Sequence, residues 1–361
     1  MTHNILKEII TLCRWAPSGD NCQPWHMTWD DQVLTVDLNA KLAQHALNKN
    51  FMSSAIYMGG LYTYLEIASA RFGYLTKIIN KNILSSGEMQ LKIIFEKTDI
   101  TNSDLFNALK TRHTDRRNYN GKPLAPAVLK KIEALNKPSL SSKVYCKSPP
   151  QDDVLNYISR SDHFLWSALP QAVTDLLNWI HFSRKEEKLS KRGMHWGCLA
   201  APLPAVFTLY LMKKLNIFKI LFSPLLATVA PHISRLQIRS SGALLLFTVT
   251  EPTLNAVFDC GRLSTLAWLY LESKGLSSQP ITLASMQLLN QKLDPHFFSN
   301  NLKAKTHFSK GPELLRSHFN FTKEECPAWM FRVGYVDQKY PDNMRTLRCD
   351  IEELLTIVPR A

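Results

Sequence analysis

The chain has 361 residues, of which 45% are apolar and 20% charged, so it can bury one large core or two smaller ones and is not expected to be disordered. A formal charge of +13 favours anionic ligands or surfaces, such as a phosphorylated cofactor or anionic lipid. The basic residues are dispersed and carry no nucleic-acid-binding signature, so no nucleic-acid partner is expected.

Seven single cysteines without a C-x-x-C pair argue against a disulfide framework or a zinc site. Together with the lack of an apolar leader in the first residues, they favour the cytoplasm.

The first hundred residues predict two helices and two strands. Apolar spacing predicts a helix over 4–14 and a long helix over 51–72, with strands over 33–38 and 89–98. The pair Gly59–Gly60 inside the long helix costs about 1–2 kcal/mol relative to alanine. We therefore expect this helix to pack closely against another backbone.

A second unit begins near residue 103 with the basic turn TRHTDRRNY. The patterns that follow predict helices over 126–135, 151–191 and 259–276, with strands over 143–146, 242–251 and 328–336. Because helix, strand and long helix recur in similar order, the sequence predicts two related lobes, 1–100 and 103–361.

An apolar insertion interrupts the second unit at residues 198–233. Three lysines and four prolines break it, so a membrane-spanning helix is not expected. Three interpretations remain: a lid over a pocket, an oligomer interface, or a peripheral membrane contact with snorkelling lysines.

Two segments carry candidate binding groups. In the basic turn, Arg112, Thr114 and Arg116 would face one side of an extended chain and suit a phosphate or another dianion. The alternative is a solvated basic loop. The segment 15–25, WAPSGDNCQPW, combines hydrogen-bonding residues with a backbone fixed by prolines and glycine, and could wrap a planar heteroaromatic ring. The alternative there is an ordinary turn packed by two tryptophans.

Four stretches resemble one known family. WAPSGDNCQPWHM closely resembles the A-P-S-x-x-N-x-Q-P-W loop of FMN-dependent nitroreductases, and RHTDRRNYNGKPL resembles their R-x-S-x-[RK] turn. CGRLSTLAWLYLESKGLSSQPI and PAWMFRVGY resemble a helix and the terminal strand of the same family. The resemblance implies an α+β, nitroreductase-like fold: two related lobes fused in one chain, with antiparallel-rich mixed sheets flanked by helices.

The resemblance also implies FMN as the cofactor and assigns residues to it. Arg112 and Thr114 would contact the phosphate and ribityl chain, and Arg116 the pyrimidine edge, where a cation would stabilise negative charge gained on reduction. The remaining implied contacts are Pro17, Ser18, Gly19, Asn21 and Gln23 from the loop, Pro280, Ile281 and Thr282 near flavin N5, and Arg345 and Arg348 at the phosphate. Typical members have P-I-E-G at the N5 segment, whereas this chain has Leu283 in place of the glycine.

The order of the motifs implies a fused pseudo-dimer. In ordinary members the arginine turn precedes the A-P-S loop, and a homodimer builds two sites, each from both subunits. Here the loop lies in the first lobe and the turn in the second, whose own counterpart of the loop, LNKPSLSSKVYC, lacks the Asn and the Gln-Pro-Trp. One intramolecular flavin site is therefore implied, in a monomer or a further homodimer similar to the Acg-type single-chain members.

The implied activity is two-electron hydride transfer from NAD(P)H through FMN to a small electrophilic substrate, such as a nitroaromatic or a quinone, without a dedicated acid or base. Two alternatives stay open. The chain could hold or sequester FMN without nitroreductase turnover, or it could be a peripheral membrane or partner-binding protein acting through 198–233.

Overall fold

The computed structural model describes residues 1–84, 86–99 and 104–358. The predicted boundary between the lobes, 100–103, and the last three residues lie outside the described residues. The strands are β1 (Trp25–Trp29), β2 (Leu34–Leu38), β3 (Tyr74–Ile83), β4 (Met89–Lys97), β5 (Ser142–Lys147), β6 (Ile180–His181), β7 (Met194–His195), β8 (Ala243–Val249), β9 (Ser277–Pro280), β10 (Cys326–Gly334) and β11 (Leu355–Ile357). The α-helices are α1 (His3–Cys13), α2 (Ala40–Ala43), α3 (Met52–Arg71), α4 (Ala108–Thr111), α5 (Pro126–Glu133), α6 (Asp152–Ala168), α7 (Pro170–Asn178), α8 (Arg184–Ser190), α9 (Leu203–Lys214), α10 (Asn216–Arg239), α11 (Leu254–Ser273), α12 (Thr282–Leu293), α13 (Leu302–Ser309), α14 (Gly311–Phe319) and α15 (Ile351–Leu354).

Two larger sheets repeat one strand order. The first runs β11-β1-β2-β4-β3 and the second β5-β8-β10-β9, so four antiparallel strands occur twice in the same sequence-to-space order. In each set a long helix, α3 or α11, joins the second strand to the third. The expected antiparallel-rich mixed sheets flanked by helices are therefore confirmed.

The C-terminal strand β11 belongs to the first sheet, although the sequence analysis assigns it to the second lobe. It pairs in parallel with β1, with Met27 opposite Leu355. The end of the chain thus returns across the molecule and brings the segment before it, with Arg345 and Arg348, to the first half.

Helices α3 and α11 cross at glycines, as the sequence predicts for the first of them. A Cβ atom on Gly59 would lie 2.0 Å from the carbonyl oxygen of Phe258, and one on Gly261 would lie 2.2 Å from that of Ile56. The two backbones therefore approach more closely than any side chain permits, and the entropic cost of glycine in a helix is offset by this contact.

The second sheet separates two apolar cores, which explains the unbroken apolar run of β8. Leu245, Phe247 and Val249 pack into the core that continues into the first half, whereas Leu244 and Leu246 pack against α6 and α12–α14. Because alternate residues of a strand face opposite sides, a strand covered on both faces is apolar at every position.

The insertion forms a helical hairpin, α9 and α10, of which α10 packs along α6. Pro231 cannot donate to the carbonyl of Ala227, and His163 of α6 donates to that oxygen instead, at 2.8 Å. Within the described residues, α10 is the one helix whose length and apolar composition would allow it to cross a membrane. A single helix of this kind is weak evidence for a membrane span. The sequence does not predict a spanning helix here, because lysines and prolines interrupt the apolar run.

Candidate functional site

The two predicted binding segments meet in one cavity of about 280 Å³. The opening loop forms one side, the arginine turn the other, and the C-terminal segment before α15 closes one end. The predicted residues that line the cavity are Pro17, Ser18, Gly19, Asn21, Arg112, Thr114, Arg116, Pro280, Thr282, Arg345 and Arg348. Its volume is close to the lower end of small-molecule pockets, about 300 Å³.

The opening loop holds an unusual backbone conformation. Asp20, Asn21 and Gln23 have φ values of 48°, 57° and 47°, a left-handed region that residues with side chains seldom adopt. Gly19 has no room for a side chain, since a Cβ atom there would lie 2.0 Å from the hydroxyl of Tyr57. Strain of this kind persists only where the surroundings fix it, and it concentrates at binding sites.

The amides of Asn21 and Gln23 supply the bonds that fix the loop. Asn21 donates to the carbonyl oxygens of Gly193 and Leu347, at 3.0 and 2.9 Å. Gln23 donates to the carbonyl of Lys191 at 2.9 Å and accepts from the N–H of Cys349 at 3.0 Å. The two amides therefore tie together the loop, the segment before the insertion and the C-terminal segment.

Two predicted residues, Gln23 and Ile281, do not line the cavity. Gln23 is fully buried with its amide committed to the bonds just described, so it shapes the loop rather than facing a ligand. The N–H of Ile281 donates to the carbonyl of Met330, and its side chain packs against the second core. Thr282, the first residue of α12, does line the cavity, and the helix begins there without a side-chain cap on its backbone N–H groups.

The arginine turn is anchored by Asp115, which faces away from the cavity and is fully buried. Its carboxylate accepts from both the Nε and Nη2 of Arg117, at 2.9 and 2.7 Å, and from Ser277 of β9. Burial acts to raise the pKa of Asp115, but the hydrogen bonds from Arg117 and Ser277 outweigh it and lower that pKa. An ionised Asp115 thus fixes the turn so that Arg112, Thr114 and Arg116 face the cavity.

Arg112 and Arg116 reach different parts of the cavity wall. Arg112 is 4% exposed, donates to the Tyr64 hydroxyl and the Trp15 carbonyl at 2.9 Å each, and lies over the Trp268 ring. Arg116 donates to the carbonyl of Cys198 at 3.0 Å, at the beginning of the insertion. Only this beginning of the insertion, with Met194 just before it, lines the cavity; helices α9 and α10 contribute no lining residue.

Arg112, Arg345 and Arg348 form a cluster of like charges, called here the arginine cluster. Within the described residues, none of the three forms an ion pair with a carboxylate, and the buried Nε of Arg348 has no hydrogen-bond partner. Burial and the two neighbouring guanidiniums lower the pKa of Arg348 to about 9. A guanidinium stays charged near neutral pH, so this cluster has the charge and the free donors to bind a phosphate or another dianion.

Aromatic residues supply a large part of the remaining wall, and several of them are not among the predicted site residues. The guanidinium groups of both C-terminal arginines lie over the Trp15 ring, with their central carbons 5.4 Å (Arg345) and 5.0 Å (Arg348) from the ring centroid. His113, which is not among the predicted site residues, lines the cavity and packs against Tyr340 with the two ring centroids 4.0 Å apart. Burial lowers the pKa of His113, so its ring is neutral near pH 7. Further aromatic lining comes from Tyr57, Trp268, Trp329 and Phe331.

No protein-family model and no curated protein matches the chain. Among solved structures, it is similar to a nitroreductase with bound FMN from Desulfitobacterium hafniense DCB-2 (10% identity, TM-score 0.38, 71% of this chain and 99% of that chain). It is also similar to a nitroreductase with bound FMN from Bacteroides fragilis NCTC 9343 (10%, 0.37, 69% and 97%). A third is the FMN-dependent nitroreductase NfnB from Mycobacterium smegmatis in complex with NADPH (12%, 0.40, 69% and 96%). Because these TM-scores are low, the cavity itself has to carry any functional conclusion.

Proposed function

We propose that the cavity binds FMN and that the protein is an FMN-dependent oxidoreductase of nitroreductase type. The observation that carries the proposal is the arginine cluster, which has no carboxylate partner among the described residues and adjoins an aromatic cavity. A molecule with a phosphate at one end and a flat heteroaromatic ring at the other matches this distribution of charge and apolar surface.

The residues of the cavity fit FMN in three respects. The arginine cluster would hold the phosphate. Arg116, whose guanidinium is held at the carbonyl of Cys198, would present a positive charge to the ring. Pro280 and the uncapped start of α12 at Thr282 would place an apolar surface and backbone donors against it. When bound, FMN would supply two-electron transfer, for which no side-chain acid or base is required.

We further propose that the chain folds as an intramolecular pseudo-dimer with one flavin site, and that the protein is located in the cytoplasm. The repeated order of four strands in the two sheets supports a fused pair of lobes. Pro138 and Ser139, where a second loop would occur, are exposed in a turn, which supports a single site. All seven cysteines lie within the described ranges and are free, as a reducing compartment favours.

The electron donor would be NAD(P)H and the acceptor a small electrophile such as a nitroaromatic or a quinone. The test begins with the absorbance spectrum of the purified protein, which should show bound flavin near one per chain. Addition of NADPH or NADH without oxygen should then bleach the flavin, and a nitroaromatic or quinone should restore it. A colourless protein that does not bind added FMN would refute the proposal. Stable flavin that neither nucleotide reduces would favour sequestration of FMN instead.

A second candidate function is attachment to an anionic membrane surface, and the exposed face of α10 supports it. The apolar side chains on this face recur every three or four residues: Ile217, Ile220, Leu221, Leu225, Val229, Ile233 and Leu236. They extend over about 30 Å of helix. The basic residues among them face the protein, since Lys219 donates to Thr174 and Arg235 pairs with Asp152.

Charge favours lipid as the occupant of this face. Exposed Lys214 and Arg239 lie at its two ends, and the chain as a whole carries +13. An apolar helix face bordered by cations matches a helix lying in the interface of an anionic bilayer.

Vesicle flotation tests the attachment. The protein should float with phosphatidylglycerol-containing vesicles and much less with pure phosphatidylcholine. Leu221→Glu with Leu225→Glu should abolish flotation, whereas Leu302→Glu, at an exposed position of α13, should not. A chain that stays with the soluble fraction and has twice the expected native mass would instead identify the face as a dimer interface.

A further inference from the structure

A second chamber of about 180 Å³ lies beside the main cavity. The two share Gly19, Asp20, Tyr57 and Thr282, so an occupant of the chamber would lie directly next to the main site. The rest of the chamber wall is mostly apolar and comes from α2, α7 and α12, with single residues from neighbouring segments: Leu42, Ala43, Leu47, Leu165, Ala172, Leu176, Trp179, Leu283 and Met286. Exposed Gln44 also lines it, which gives the chamber an opening to solvent.

Asp20 supplies the only carboxylate among the described residues that line the chamber. Within the described residues no group donates a hydrogen bond to this carboxylate; the ionisable side chain beside it is His45, whose Nε2 lies 3.7 Å from Oδ2. The Nδ1 of His45 accepts from the N–H of Leu47 at 3.0 Å, so a neutral His45 carries its proton on Nε2, facing Asp20. One carboxylate oxygen therefore remains for a ligand.

The environment of Asp20 favours a donor or a cation as that ligand. Burial raises the pKa of Asp20 and nearby Asp175 adds to the rise, while His45 and Arg116 oppose it. A cationic ligand would offset the desolvation of the carboxylate. The backbone of Asp20 is left-handed, at φ 48° and ψ 22°, so the loop holds the carboxylate here at a conformational cost.

We infer that this chamber is a binding site for a single-ring aromatic amine, with the ring among the apolar residues of α7 and α12 and the ammonium group against Asp20. The size fits, because an apolar cavity of about 150 Å³ accommodates one benzene ring. The wall offers Trp179 and Met286 as flat and polarisable surfaces for the ring. The site is built from this chain's own residues, so it does not depend on bound flavin, although its occupant would adjoin the main cavity.

Benzylamine and benzyl alcohol form the matched pair of probes, since they share the ring and differ in charge. Isothermal titration of the purified chain should show saturable benzylamine binding, with benzyl alcohol binding about 10-fold to 100-fold more weakly. Equal binding of the two probes, or no saturable binding of benzylamine, would overturn the inference.

Two isosteric variants locate the charge. Asp20→Asn should reduce benzylamine affinity toward that of benzyl alcohol and leave benzyl alcohol unchanged. Asp175→Asn is the control, because Asp175 is a nearby carboxylate that does not line the chamber and is committed to the N–H of Ala46. It should bind benzylamine as the wild type does. An equal loss in both variants would overturn the assignment to Asp20.

Flavin content of each variant, measured by absorbance, separates this inference from the proposed function. Loss of amine binding with flavin retained supports the chamber as a distinct site. If Asp20→Asn loses both flavin binding and amine binding while its unfolding temperature falls, Asp20 maintains the conformation of the loop, and the inference is wrong. A chain that binds benzylamine but no FMN would support the chamber and refute only the proposed cofactor.

Discussion

Asn21 and Gln23 show how single side chains can make a binding site without all of them facing the ligand. Their amides hold three distant segments together, at Gly193, Leu347 and Cys349. Buried amides of this kind cost free energy when left unpaired, so each bond both fixes the loop and fixes its partner segment. The C-terminal arginines reach the cavity because the loop holds the chain beside them.

Replacing Arg348 separates binding of an anion from stability of the fold. Arg348→Met keeps the stem that packs near Trp15 but removes the charge. FMN affinity, measured by fluorescence quenching, should fall by about 10-fold to 100-fold. The flavin-free variant should unfold at the same temperature as wild type or higher, because the replacement relieves repulsion within the arginine cluster.

Two comparisons make this result specific. Arg112→Met should lower both flavin affinity and stability, since Arg112 also donates to Tyr64 and to the Trp15 carbonyl. Arg160→Met removes one positive charge from an exposed position of α6 and should change neither quantity. Unchanged FMN affinity in Arg348→Met would place the phosphate elsewhere.

The sequence allowed prediction of those site residues that belong to recognisable local patterns. The loop and the arginine turn are continuous stretches, and the structure brings them to one cavity. Trp268 and Tyr340 also line it, but Trp268 belongs to an apolar helix whose pattern is explained equally well by core packing, and Tyr340 lies in the polar stretch DQKYPDNM, which carries no recognisable pattern. His113 lies between two predicted residues and was missed, because an extended turn suggests that alternate residues face opposite sides.

At the scale of elements, Gly59 and Gly60 form a natural matched pair on α3. Alanine at either position gains about 1 kcal/mol of helix propensity. At Gly59 the new methyl group would meet the backbone oxygen of Phe258 at 2.0 Å, whereas at Gly60 it would meet the side-chain oxygen of Thr265 at 2.7 Å. A backbone cannot rotate away as a side chain can.

Gly59→Ala should therefore lower the free energy of unfolding by about 2 kcal/mol or more, and Gly60→Ala should stay within about 1 kcal/mol of wild type. Urea unfolding followed by circular dichroism measures both. Equal effects of the two substitutions would show that the backbones of α3 and α11 are less closely packed at Gly59 than these distances require.

The contact between α6 and α10 contains a half-buried acid, Asp162. Burial raises its pKa from 3.8 to about 6, against the effect of a hydrogen bond with Ser234. Because the folded-state pKa lies above the unfolded value, the protonated carboxyl favours folding, and that contribution is lost as pH rises from about 4 through 6. Ionised Asp162 thus weakens the helix contact at neutral pH.

Asp162→Asn should accordingly stabilise the chain at pH 7.5 by about 1–2 kcal/mol, allowing for partial exposure of the side chain. The difference should shrink as the pH is lowered to 5. Urea unfolding at the two pH values provides the measurement, and Asp153→Asn on the exposed first turn of α6 should not stabilise at either pH. A pH-independent gain would assign the effect to packing rather than to titration.

Most long apolar elements were predictable, and the ones missed have physical reasons. The predicted helices 4–14 and 51–72 are His3–Cys13 and Met52–Arg71, within a residue or so, because their apolar residues follow helical spacing. Strands β1 and β3 were missed. The first follows directly on the proline- and glycine-rich loop, and the second is an edge strand with many exposed polar residues. Strand β11 has only three residues, and only its pairing with β1 defines it.

At the scale of the whole molecule, the cavity requires both halves of the chain. The first half supplies the opening loop, and the second supplies the arginine turn, α12 and the C-terminal arginines. Between the halves lie the α3–α11 crossing and the β1–β11 pair, so the largest apolar core is continuous across them. Neither half can bury its share of that core alone.

Dividing the chain between the halves tests this dependence. Residues 1–99 and 104–361, expressed together as two polypeptides, should copurify in a 1:1 complex that binds FMN, because the crossing and the strand pair do not need a covalent link. Dilution should weaken flavin binding, since separating the halves removes the high effective concentration that the single chain provides. The control is a complex carrying Gly59→Ala, which should already dissociate at protein concentrations at which the unaltered complex stays intact.

If the 104–361 fragment alone retains flavin, the opening loop is dispensable and the cavity between the halves is not the site. If the two fragments fold but never associate, the apolar core does not continue across them as the contacts of Leu6, Met58 and Leu245 require.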